Sequence, residues 1–252
     1  TEITGGTMCP SYMATRDEQD TTRARANMLR HMLTRPADPT RPFDSDEVKE
    51  VMDLCISCKG CKRECPSNVD MTKLKAEFTQ GYYDVHGVPR RAKLIAGFAR
   101  TAGLASRVPW LYNFLVTTEP FSSLIKRVSG FATERSLPRL HRTTLRRWFA
   151  SHSPHANAGR HGRVLLFCDE FTNFNDTPIG IAAVELLERL GYTVEIPQHV
   201  ESGRAALSKG LLRQARDLAE QNVRQLKGLV SADVPLLGIE PSAILGFRDK
   251  YP

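Results

Sequence analysis

Four cysteines fall within eleven residues of this 252-residue chain, in the run Cys55-Ile-Ser-Cys58-Lys-Gly-Cys61-Lys-Arg-Glu-Cys65-Pro66. Thiolates recurring at x2, x2 and x3 reach several irons of one compact cube from a single tight loop, and a proline turns the chain away after the last of them. This is the spacing that binds a [4Fe–4S] cluster. Gly60 is expected to let the backbone fold closely around sulfide and offer N–H groups to it. The competing assignments are a zinc site, which usually takes two C-x2-C pairs across a longer insert, and a disulfide pair. A tight group of thiols in a long chain with no secretory start favours metal in a reducing compartment.

A second Cys-Pro pair, Cys9-Pro10, sits in Gly6-Thr7-Met8-Cys9-Pro10-Ser11-Tyr12. In two-cluster ferredoxins the last cysteine of each run ligates the other cluster. Cys9 therefore reads as the tail of a first ferredoxin motif, completing the cluster held by Cys55, Cys58 and Cys61. Cys65 then points toward a second cluster. Two alternatives stay open: one self-contained cluster on Cys55, Cys58, Cys61 and Cys65, or Cys9 as an ordinary buried thiol. The candidate cofactor and metal residues are thus Cys9, Cys55, Cys58, Cys61 and Cys65. No Ser-His-Asp or paired-carboxylate arrangement emerges from spacing, and no catalytic residue is assigned.

The elements that must position these thiols are helical. Apolar residues at three- and four-residue spacing predict a helix over 20–34, and acids at its start predict another from Ser45 or Asp46 to Leu54 that delivers the chain into the cysteine run. Asp70 is the expected N-cap of a helix reaching Val85, stopped by Gly87. Further helices are expected over 89–105 and 110–128, and a basic one from Pro138 to Phe149. Residues 151–162, rich in Ser, His, Gly, Ala and Asn, read as a linker in which His152, His155 and His161 are solvated. Beyond it the pattern changes to apolar runs at Arg163–Cys168, Tyr192–Ile196 and Val234–Ile239, alternating with helices over 178–190 and 203–229. That alternation predicts βαβ units and a parallel sheet. The fold class is therefore α plus α/β. An α-helical [4Fe–4S] ferredoxin-like domain with a basic extension covers 1–150, a linker 151–162, and an incomplete α/β domain 163–252.

Charge is uneven. Residues 88–150 carry twelve Lys and Arg against two acids, Glu119 and Glu134, in a chain whose formal net charge is +7. Interleaved aromatics such as Trp110, Phe114, Phe121 and Trp148 make this segment a candidate surface for packing on a further domain, for peripheral membrane contact, or for nucleic acid. No nucleic-acid motif accompanies it, and nucleic acid is not an expected partner. No apolar run approaches the ~20 residues of a membrane helix. The start, Thr1-Glu2-Ile3-Thr4, has no basic n-region or apolar h-region, so no signal peptide is expected and the expected location is cytoplasmic.

Met8-Cys9-Pro10-Ser11-Tyr12, Asp20-Thr-Thr-Arg-Ala-Arg-Ala-Asn27 and the cysteine run with Ser67-Asn68-Val69-Asp70-Met71 together resemble the iron–sulfur part of FAD-linked D-2-hydroxyacid dehydrogenases. That family includes D-lactate and D-2-hydroxyglutarate dehydrogenases and the glycolate oxidase iron–sulfur subunit. His199-Val-Glu201-Ser202-Gly203-Arg204 and Gly238-Ile-Glu240-Pro241-Ser242-Ala243 are similar to the cysteine-rich domain shared with heterodisulfide reductase subunits. Where that domain has Cys-Cys-Gly this chain has Glu201-Ser202-Gly203, and Ala243 replaces a further cysteine. The resemblance therefore implies a degenerate domain over 163–252 that holds no cluster, with Cys168 a packing thiol. It also implies FAD on an upstream domain or a partner subunit, electrons passed through the cluster to an acceptor such as quinone, and no dehydrogenase activity in this chain alone. The start inside a motif and the stop after three strands read as a piece of a longer protein. The alternative is a structural or interaction module whose cluster only stabilises the fold.

Overall fold

The structure, a computed structural model, is described over residues 9–251. Gly6, Thr7 and Met8 of the first motif lie outside the described residues, as does Pro252. Contacts divide the chain into two compact units, one running to Pro89 and including Leu207–Leu212, the other formed by Arg90–Ala206 and Arg213–Pro252. Residues 90–150, read from sequence as an extension of the cysteine domain, and the 151–162 stretch both fall within the second unit.

The first unit contains α1 (Pro10–Thr15), a 3₁₀ turn (Glu18–Asp20), α2 (Thr22–Thr34), α3 (Asp46–Asp53), α4 (Gly60–Glu64) and α5 (Met71–His86). Each longer helix starts on a side-chain cap. The Thr21 hydroxyl accepts from the Ala24 N–H, Ser45 from that of Val48, and Asp70 from that of Thr72. Such caps satisfy otherwise orphaned first-turn donors and are worth about 1 kcal/mol each. Gly87, at φ +77°, ends α5 as expected. The apolar faces meet in a core of Leu29, Met32, Val48, Met52, Met71 and Phe78, with Cys61 packed against it. The thiol loop is thereby anchored to the core that α2, α3 and α5 build. Truncating the fully buried Phe78 to Ala would cost about 3–5 kcal/mol.

The second unit opens with short helices. The expected helix over 89–105 is two, α6 (Arg90–Ala96) and α7 (Phe98–Ala105), meeting at Gly97. That over 110–128 is α8 (Pro109–Thr117) and α9 (Phe121–Ser129), because Pro120 interrupts the hydrogen-bond ladder. The basic helix expected from Pro138 begins only at Leu145, as α10 (Leu145–Ser151), capped by Thr144. Asn113 explains the delay. Its Nδ2–H donates to the Leu140 carbonyl and its Oδ1 accepts the Leu140 N–H, so this backbone is bonded outside any helix.

The α/β part runs β1 (Arg163–Phe167), α11 (Glu170–Phe174), α12 (Thr177–Arg189), β2 (Thr193–Glu195), α13 (Arg204–Ser208), α14 (Leu212–Leu226), β3 (Leu236–Gly238), α15 (Pro241–Ile244) and α16 (Gly246–Asp249). The three strands are parallel, in the order β2-β1-β3, with Val164 opposite Val194 and Leu166 opposite Leu237. The central strand is buried from Val164 onward, which is why it reads as an unbroken apolar run. The expected helix over 203–229 is split, because Gly210 adopts φ +73° between α13 and α14. His152, expected in solvent, is mostly buried. Its ring stacks on Trp148, its Nε2 lies 2.9 Å from the buried Glu188 carboxylate, and the His155 N–H donates to that same carboxylate at 3.0 Å.

Candidate metal centre

The cysteine loop leaves α3 at Leu54 and is shaped by three residues in the left-handed region: Ser57 (φ +57°), Lys59 (φ +61°) and Asn68 (φ +54°). Non-glycine residues rarely adopt this conformation, and where they do the surroundings must hold them there. Ser57 and Lys59 make the turns, while Gly60 opens the right-handed α4 and lines the cavity. Asp70 does part of the holding. It caps α5 and its carboxylate lies 3.4 Å from Lys59 Nζ and 3.5 Å from Lys62 Nζ, tying the loop to the next helix. Burial pushes the Asp70 carboxyl up, but the Thr72 bonds and the Lys59 charge outweigh it and keep it below the usual range. Lys75 on α5 donates from Nζ to the Cys55 carbonyl at 2.5 Å, fixing the first turn of the loop.

From the other side, α1 and α2 are tied to the end of α3. Ser11 Oγ donates to the Leu54 carbonyl at 2.6 Å, and Arg25 Nε donates to the Val51 carbonyl at 3.0 Å. These bonds bring Cys9, forty-six positions before Cys55, to the same place. Cys9, Cys55, Cys58 and Cys61 line one cavity, together with Ser11, Thr22, Arg25 and Met71. Cys65 is not among the described residues lining it. It follows α4, where its N–H donates to Lys62 and its carbonyl accepts from Asn68.

The thiols ring a space and do not meet at a point. Among the described residues no three His, Cys, Asp or Glu side chains converge closely enough to hold a single ion. Zinc needs four donors about 2.3 Å from one centre, whereas a four-iron cube takes one thiolate at each of four separated corners. Four cysteines around one cavity are a donor set that fits the cluster. Burial, with the neighbouring Cys55 and Cys58, pushes the Cys61 thiol up against the Lys62 amide and Thr22. Crowded thiols resist losing protons together until a metal supplies positive charge. Cys9 differs. Burial alone would raise it, but the Tyr12 amide, the Arg25 guanidinium and Ser11 outweigh that and hold it below the ordinary cysteine range.

Cys168 is sealed in the core beside Val164 and Leu166, and burial pushes its thiol up to about 12. Its N–H donates to His199 Nε2 at 3.1 Å. Ser202 donates from its backbone N–H and its hydroxyl to Glu170, and Arg204 Nε lies 3.5 Å from the same carboxylate. Ala243 is buried with Phe167 and Leu226. Glu170 and Arg204, which complete this network, carry no spacing pattern that would have singled them out in sequence.

The arrangement of the first unit is that of a protein module built around an iron–sulfur cluster, and residues 6–70 match the family described as the 4Fe-4S dicluster domain. Over 97% of its length the chain is also homologous to D-2-hydroxyglutarate dehydrogenases. It is 27% identical to that of Pantoea ananatis over 288 aligned positions and 26% identical to those of Pseudomonas putida and Escherichia coli. It spans 28% of the length of each of these relatives. No solved structure matches the chain significantly. No helix among the described residues is long and apolar enough to cross a membrane.

Proposed function

We propose that this chain is the electron-transfer segment of a flavin-dependent D-2-hydroxyacid oxidoreductase. The observation that carries the reading is the single cavity ringed by Cys9, Cys55, Cys58 and Cys61, in a chain homologous throughout to D-2-hydroxyglutarate dehydrogenases. When bound, a [4Fe–4S] cluster accepts and releases one electron at a time. Cys55, Cys58 and Cys61 hold it from one loop, and Cys9 supplies the fourth thiolate. Cys65, outside the cavity, serves a second centre. Ser57 and Lys59 bend the loop beside the cavity, and Lys75 and Asp70 tie it to α5. Met71 and the core beneath it keep water from the inner wall.

FAD belongs to a further domain or a partner subunit. There the flavin would supply two-electron oxidation of the hydroxyacid, and the cluster held by this segment would relay those electrons singly to an acceptor such as quinone, on the cytoplasmic side. The exposed apolar face of α8 and α9, bearing Trp110, Phe114, Phe121 and Leu124, packs on the flavin domain. The deciding experiment is a reductive titration. Anaerobically purified chain should carry about four irons and four acid-labile sulfides per cluster, and should be reduced reversibly by a D-2-hydroxyacid only when the flavin domain is added. Stoichiometric zinc without sulfide would overturn the cofactor. A cluster that never reduces would leave a purely structural role.

A further inference from the structure

Arg25, on α2, is 1% exposed and lines the thiol cavity. A buried guanidinium carries a large desolvation cost unless its donors are matched. Nε is matched by the Val51 carbonyl at 3.0 Å, and Nη1 donates to Cys9 Sγ at 3.1 Å. Nη2 makes no hydrogen bond and lies 3.6 Å from the buried Asp20 carboxylate, which the Thr15 hydroxyl holds from its other oxygen at 2.7 Å. The Asp20–Arg25 pair therefore presents its positive end to sulfur. A helix needing only to fill the space between α1 and α3 would do so with an aliphatic side chain. The lysines beside the loop meet oxygen: Lys75, half-buried, donates to the Cys55 carbonyl, and Lys59 lies 3.4 Å from the Asp70 carboxylate.

We propose that Arg25 is a positioning residue for the iron–sulfur centre: its Nη1–H···Sγ bond orients the Cys9 thiolate, and its buried charge raises the centre's reduction potential. The sign follows from electrostatics. An added electron makes a thiolate-ligated centre more negative, so a fixed cation and an N–H donor to ligand sulfur stabilise the reduced form more than the oxidised one. The inference rests on Cys9 being a ligand, as proposed above.

The test uses the full chain, purified and handled under argon, as wild type, Arg25→Lys and the double variant Asp20→Asn with Arg25→Met. Removing both partners leaves no lone buried carboxylate. Iron and sulfide content, circular dichroism and the midpoint potential from an EPR-monitored titration are read on each. The folded double variant should retain four irons under argon, show a lower midpoint potential, and convert to a three-iron form in air faster than wild type. Arg25→Lys should fall between the two. An unchanged potential and unchanged air stability in the folded double variant would overturn the proposal. Should neither variant fold, wild-type chain grown with ¹⁵N-arginine decides it. Pulsed EPR of the reduced centre should show a guanidinium ¹⁵N coupling, since Arg25 is the arginine among the described residues lining the cavity, and its absence overturns the role. A Cys9→Ala chain that keeps four irons would defeat the ligand assignment instead, and so separates the two failures.

Discussion

Around the cavity of the first unit, four thiols face open space, a buried Arg25 leaves one nitrogen without a hydrogen bond, and two non-glycine residues are held left-handed. The carboxyl end of the sheet in the second unit is built the opposite way. There Cys168 is sealed, His199 is bonded at both ring nitrogens, Glu170 accepts from Ser202 and lies 3.5 Å from Arg204, and Ala243 is buried in the core. One region gathers four cysteines around a cavity and holds the loop that carries them in a strained conformation. The other closes on protein partners, although Arg204 Nε and Asn175 Oδ1 are buried there without a hydrogen bond.

The sharpest way to break this comparison is to remove thiols singly. Cys9→Ala should lose the cluster or leave three irons, whereas Cys65→Ala should keep four, read as iron and sulfide per chain under argon. The reverse pattern would mean one self-contained cluster on Cys55, Cys58, Cys61 and Cys65. Cys168→Ala should leave the iron content unchanged.

The next effect belongs to the other region. Glu170→Gln should destabilise the second unit by about 1–3 kcal/mol, because the Ser202 donors and Arg204 lose a buried charged acceptor. Urea unfolding should show the loss, while iron content stays at the wild-type value. Loss of iron in this variant would mean that the two regions do not divide binding from packing.

pH offers a subtler test. Burial, with the charge of Glu170, raises the Glu201 carboxyl from 4.5 to about 7. Between those values the folded state binds more protons than the unfolded, so this group's contribution to stability is present at low pH and is lost as pH rises toward 7. Burial lowers His199 from 6.5 to about 4. The unfolded state then binds more protons, and stability is lost as pH falls from about 6.5 toward 4. The two oppose each other across pH 4.5–6.5, and stability there should vary little. Glu201→Gln should expose the histidine, giving a steeper acid loss by thermal melting. A flat profile in that variant would show that His199 is not the opposing group.

The smallest expected effect is on the exposed face of the second unit. Trp110, 70% exposed, and Leu124, 61% exposed, should each be replaceable by Ser within about 0.5 kcal/mol of stability. The same changes should weaken association with the flavin domain. If this face only packs on that domain, the isolated chain should ignore anionic vesicles at physiological salt. Salt-sensitive sedimentation with such vesicles, lost in Trp110→Ser, would favour membrane contact instead.

The iron–sulfur character was legible in the sequence because it depends on local spacing: thiols placed as Cys55, Cys58 and Cys61 are can reach three corners of one cube from a single loop, wherever that loop lies. The caps at Ser45 and Asp70 and the buried strand Val164–Phe167 were legible for the same reason, since each depends on neighbours a few residues away. Helix breaks were not. Residues 138–144 stay out of a helix because Asn113, far back in the chain, bonds Leu140, and His152 leaves solvent because the distant Glu188 is buried beneath it.

The sequence by itself determined the ligand types, their spacing and the switch from helices to alternating strands. Only the tertiary structure decided which thiols share a cavity. Cys9 and Cys65 both precede a proline and look equivalent in sequence. Yet Ser11 and Arg25 pin α1 and α2 to the end of α3, placing Cys9 beside Cys55, while Cys65 leaves α4 away from the cavity. Those bonds join residues 26 and 43 positions apart, and no local pattern encodes a pairing of that range.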